Sequence, residues 1–114
     1  MKTTETAKWR GDSGAIYEYY VHELPVNFTP RQRGNYIFCK RNDNGWTPIY
    51  IGEGDLRKRT KDPIHFPCAI EKGATHLHEH LNSQKVDREE EERDLLKACP
   101  ESYETEGCNR KKGG

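Results

Sequence analysis

Apolar positions in this chain fall into short clusters separated by polar, turn-forming stretches. Ala15 to Leu24 (AIYEYYVHEL) is rich in aromatic and β-branched residues and is closed by Pro25, which predicts a strand. Asn35 to Lys40 (NYIFCK) and Thr47 to Ile51 (TPIYI) are two further strand-like runs, and the Asn44-Gly45 pair between them predicts an antiparallel hairpin. Pro48 cannot donate to a ladder, so it belongs near the start of the second strand or with its nitrogen facing outward. After Gly52 and Gly54 the pattern turns helical, with Asp55 as N-cap, Leu56 as first core contact and Pro63 as a limit. IHFPCAIEKG has helical spacing interrupted by Pro67. Ala74 to Leu81 (ATHLHEHL) alternates, placing Thr75, Leu77, Glu79 and Leu81 on one face of a strand and His76, His78 and His80 on the other. Asp87 to Cys99 reads as a helix stopped by Pro100. These elements predict an α+β fold: a small, mainly antiparallel three-stranded sheet, with room for an extra N-terminal strand, flanked by helices. Residues 1–13 are expected as a mobile lead-in with Trp9 as the one anchor, 14–100 as a single domain, and 101–114 as a mobile polar tail.

Composition narrows this picture. Only 32% of the 114 residues are hydrophobic while 33% are charged, so the core must be small and central. The formal net charge is zero, and any affinity for nucleic acid must come from local clustering of basic residues. No apolar run approaches the roughly 20 residues needed to cross a bilayer, and the polar start does not resemble a secretory signal, so a cytoplasmic protein without membrane contact is expected. Cys39, Cys68, Cys99 and Cys108 are widely spread, which favours reduced, buried thiols over a disulfide framework.

Four strings in order carry a resemblance. GNYIF (Gly34 to Phe38), YIG (Tyr50 to Gly52), LRKR (Leu56 to Arg59) and ERDLL (Glu92 to Leu96) resemble the signatures of the GIY-YIG nuclease superfamily. With the helix that follows they span Gly34 to Cys99. Asn35 departs from the family's small β-branched residue and is expected to point outward. The Gly52 to Leu56 stretch is one residue short, which sets Arg57 against Arg59, and Arg59 keeps the Leu-x-x-Arg spacing. The resemblance implies a metal-dependent endonuclease that hydrolyses DNA phosphodiesters with Mg²⁺ or Mn²⁺. Catalytic roles would fall to Tyr36, Tyr50, Arg59 and Glu92: Tyr50 assisting deprotonation of water, Tyr36 orienting the network, Arg59 gripping phosphate and Glu92 holding the metal.

The residues carry a parallel argument. Arg57, Lys58 and Lys61 can form a phosphate-binding patch, joined by Arg31, Arg33, Lys40 and Arg41, although a run of charge also simply solvates a helix face. Within Glu89 to Glu92, helical spacing sets Glu92 in line with Leu95, Leu96 and Cys99, so Glu92 is expected to face inward, with Glu91 as the fallback. His65, His76 and His78 are secondary candidates for catalysis or phosphate contact, and solvent-facing positions are the simpler account of the histidine face. The competing reading is a noncatalytic nucleic-acid-binding or structural module that keeps the fold. No base-reading motif is visible, so selectivity is expected from a partner protein, a second copy of the chain or a DNA structure.

Overall fold

The computed structural model describes residues 5–110. Five strands form one antiparallel sheet: β1 (Thr6–Arg10), β2 (Ile16–Glu23), β3 (Arg33–Asn42), β4 (Gly45–Asp55) and β5 (His76–Leu81), in the spatial order β1-β2-β5-β3-β4. Three helices complete it: α1 (Leu56–Arg59), α2 (His65–Glu71) and α3 (Lys85–Ala98). The expected class is therefore observed with two strands more than the expected three. The β3–β4 hairpin turns at Asp43 and Asn44, with Gly45 (φ 135°) opening the return strand. Cys39 pairs with Pro48 and Phe38 with Tyr50, so Ile49 is the extra residue of a bulge, and Pro48 sits on an edge strand where its missing N–H costs little. Pro67 lies in the first turn of α2, where the absent donor would have had no intrahelical partner.

The sheet buries both faces. On one, Tyr36, Phe38 and Leu77 pack with Leu56 of α1 and Ala69 of α2. On the other, Tyr19, Ile37 and Ile51 pack with Leu95 of α3 and Cys99 at its end. Asn35 is fully buried on this second face, where its amide donates to the Arg88 carbonyl at 2.8 Å. It is a tether for α3 and does not point outward.

Several local expectations give way to longer-range pairing. Residues 1–4 and 111–114 of the expected mobile ends lie outside the described residues. Within them, the lead-in contains β1, whose alternation turns Ala7 and Trp9 inward, and Trp9 lies opposite Tyr17 of β2. The tail is tied down as well. Cys108 is bonded to Cys68 of α2, its N–H donates to Ile49 O at 2.8 Å, and Asn109 bonds Ile51 through both ends of its amide. Reduced thiols are thus observed at Cys39 and Cys99 only. The histidine strand β5 is central, between β2 and β3, so α3 and the aromatic residues of β1 and β4 cover its histidine face.

Candidate functional site

Tyr36 and Tyr50 meet because they lie on one face of adjacent strands, two residues apart along the ladder. Their ring centroids are 6.0 Å apart with planes 34° from parallel, and each hydroxyl influences the ionisation of the other. Gly52 makes this possible. It is the cross-strand partner of Tyr36, and a Cβ there would stand 2.6 Å from both Cζ and Oη of that ring. Position 52 therefore needs glycine so that Tyr36 can lie flat across β4.

Arg59 arrives from α1, whose single turn is fixed by the Asp55 side chain accepting from Lys58 N at 3.2 Å. Gly54, at φ 133°, leaves space for the guanidinium: a Cβ would lie 2.9 Å from Arg59 Nε. Arg57 and Lys58 are exposed on the same turn.

Burial is the main force raising the Tyr50 hydroxyl, followed by the charge of Glu92, while Arg59 pulls in the opposite direction. Tyr36 is raised further, again first by burial, with Arg59 opposing and Glu92 reinforcing. Both are phenols at neutral pH. Glu92 is half-buried on α3 and lies within electrostatic range of both hydroxyls. Four separate segments thus bring Tyr36, Tyr50, Arg59 and Glu92 into one neighbourhood.

His65 joins them. Its ring stacks on Tyr50 with centroids 4.4 Å apart and planes 24° from parallel, and its Nδ1 lies 3.3 Å from Asp62 Oδ1. That same oxygen accepts from the Ile64 and His65 N–H groups, holding the carboxyl below the ordinary carboxylate range chiefly through these backbone bonds.

The other candidates lie elsewhere. Glu91, not Glu92, is the fully buried member of the glutamate run: Arg88, Glu91, Leu95 and Cys99 form the inward stripe of α3. Glu91 accepts the Tyr19 hydroxyl at 2.5 Å and has both oxygens 3.0 Å from His80 Nδ1, on the face away from the tyrosine pair. It serves as a structural anchor. His78 has no exposure; Trp9 donates to its Nδ1 at 3.0 Å, and burial first, then His76 and Arg41, push its pKa down to about 3. His76 is likewise lowered, mainly by burial. Both lie on the face of the sheet opposite the tyrosine pair, and neither faces solvent freely.

The basic residues do not form one patch. Arg31 and Arg33 lie at one end of β3, whereas Lys40, beside Gly73, is seven residues further on, about 23 Å at strand rise. Arg41 is engaged with Glu5 and lies over the Trp46 ring, 4.3 Å from its centroid. Lys61 is exposed just beyond α1.

Sequence reasoning missed the Asp62–His65 brace and Asn109, whose donor and acceptor straddle the strand position next to Tyr50. The Asp-x-x-His spacing was a usable signal for the first; the second has none that is local. Among the described residues no group of three or more His, Cys, Asp or Glu converges as a metal cage. A single carboxylate with neighbouring hydroxyls is an oxygen-only donor set, which suits a hard cation that keeps most of its waters. No protein-family model, curated protein or solved structure matches the chain.

Proposed function

We propose that this protein is a metal-dependent endonuclease that hydrolyses DNA phosphodiester bonds at the Tyr36, Tyr50, Arg59 and Glu92 site. The observation that carries the reading is the packed tyrosine pair, its rings 6.0 Å apart, with Arg59 opposing Glu92 in its effect on both hydroxyls. Arg59, on an exposed turn, offers a planar fork of donors to a phosphate. Tyr36 packs against Tyr50 and limits its movement, so the Tyr50 oxygen can orient an attacking water by accepting a hydrogen bond from it. His65 keeps the Tyr50 ring in its stack and limits its swing. Glu92 would hold Mg²⁺ or Mn²⁺, which when bound supplies Lewis acidity toward the phosphate oxygens.

The test compares Glu92→Gln, Glu91→Gln and Glu90→Gln in plasmid cleavage with Mg²⁺ and in thermal melts. Glu92→Gln should keep the fold and lose about 10²-fold or more in cleavage rate. Glu91→Gln should lower the melting temperature, because a buried acceptor shared by Tyr19 and His80 is weakened. Exposed Glu90 should tolerate the change in both assays. Wild-type cleavage by Glu92→Gln would sink the metal assignment. An inactive wild type that still binds DNA would favour the noncatalytic module.

A further inference from the structure

Beyond the tyrosine site, a groove of about 310 Å³ opens where the loop before β3 faces the loop after β5, lined by Arg31, Gln32, Arg33, Leu81, Asn82 and Ser83. We propose that this groove binds an unpaired stretch of the same DNA strand that is cut, with its phosphates on Arg31 and Arg33 and a base against Leu81; this rests on the nuclease reading above.

Charge is the first argument. No acidic residue lines the groove, and among the described residues no hydrogen bond or ion pair engages either guanidinium. Asp55, the cross-strand partner of Arg33, is already used as the α1 cap. Two other arginines are committed, Arg88 to Glu53 and Arg41 to Glu5. Two uncommitted guanidiniums at one concave site are therefore complementary to a polyanion.

Rigidity is the second. Arg88, only 5% exposed, donates from Nη1 to the Asn82 carbonyl at 2.9 Å, and Asn82 N–H donates to Arg33 O at the same distance. The Asn82 side chain accepts from Gln84 N at 2.9 Å. On the opposite wall Gln32 Oε1 accepts from Thr29 N at 2.9 Å, and Gln32 O accepts from Leu56 N at 2.8 Å. Both walls are thus fixed before any ligand arrives, which lowers the ordering cost of binding.

Size and surface point the same way. A groove of this volume is on the scale of a small-molecule site, enough for a nucleotide and much less than a duplex occupies. Leu81 is 47% exposed beside the two arginines, offering an apolar surface and guanidinium planes to a base that has left its stack. The Leu56 to Gln32 bond joins the groove directly to α1, so Arg57, Lys58 and Arg59 continue the basic path to Tyr50.

The experiment is fluorescence anisotropy without divalent metal, using a labelled oligothymidylate and a labelled duplex of equal length over a salt series. Arg31→Ala/Arg33→Ala should weaken oligothymidylate binding about 10-fold or more and flatten the log affinity against log salt slope by about 1.4, the share of two phosphates on a single strand. Leu81→Ala should cost about 5-fold or more with the slope unchanged. Melts of both variants establish that they fold. An unchanged slope in the double variant overturns the groove, and equal losses on the duplex overturn the unpaired-strand assignment. Plasmid cleavage by the wild type with Mg²⁺ separates the two readings: no cleavage with the slope change present refutes the nuclease and leaves the groove, whereas cleavage with an unchanged slope does the reverse.

Discussion

Gly52→Ala is the smallest change that tests how the tyrosine pair is built. No positive φ is involved, so the whole effect is steric: the new Cβ would stand 2.6 Å from Tyr36 Cζ and Oη and 2.9 Å from Cε1. Carbon atoms in contact prefer about 3.5–4.0 Å, so the ring or the strand must give by about 1 Å. The ring has little freedom. It is 1% exposed and wedged between Phe38 and Tyr50, with centroids 5.9 and 6.0 Å away. Overpacking of this kind costs about 1–3 kcal/mol. At roughly 4 °C per kcal/mol for a domain near this size, the melt should fall by about 4–12 °C. A 1 Å displacement of a positioning group costs about 10²-fold in rate, so under the proposed nuclease function cleavage should fall by more than the stability loss explains. Tyr36→Phe removes Oη, one of the three atoms in conflict, and the cost of Gly52→Ala should shrink in that background. Equal costs in both backgrounds, or a Gly52→Ala protein that melts and cuts as wild type, would refute a Tyr36 ring lying across Gly52.

Two further outcomes concern stability. The Cys68–Cys108 bond closes a sequence separation of 40, for which chain entropy gives about 4 kcal/mol; reductant and Cys108→Ser should each lower the melt, and the variant should no longer respond to reductant, whereas a wild type indifferent to reductant would show the bond unformed. His78 is held down to about 3 against an ordinary 6.5, so below pH 6.5 the unfolded chain binds the extra proton and stability falls with pH, by up to about 1.4 kcal/mol per unit. Denaturant melts between pH 6.5 and 4.5 read this window before Asp62 and Asp94 titrate, and a His78→Gln protein with an unchanged slope would refute the assignment.

What could be read in the sequence was what nearby residues decide. The hairpin, the Asp55 cap, the Leu56 contact and α3 each follow from neighbours within about one turn or one strand, and they place Tyr36, Tyr50 and Arg59. What could not be read depends on distant partners. Thr6–Arg10 is mostly polar, and its inward pair of Ala7 and Trp9 acquires meaning only once β2 lies beside it. The central place of β5 comes from pairing with β2 and β3, so its histidines, which alternate as an exposed face would, are covered. The choice between Glu91 and Glu92 turns on a rotation of one residue about the α3 axis, fixed by Tyr19 and His80 on two other strands.

Asn109 has a bearing on how this protein behaves among copies of itself. β4 is an edge strand, and an open edge is a template for another chain. The Asn109 carboxamide presents an acceptor at 2.8 Å and a donor at 2.9 Å to the two backbone groups of Ile51, as a neighbouring strand would, and Cys108 N–H occupies Ile49 O beside it. Among the described residues this leaves β1 as the open edge, five residues long with exposed Lys8 and Arg10, a poor template for stacking. A fragment cut after α3 would uncover the strand that carries Tyr50, and its first fault would be self-association through that edge, ahead of any loss of chemistry.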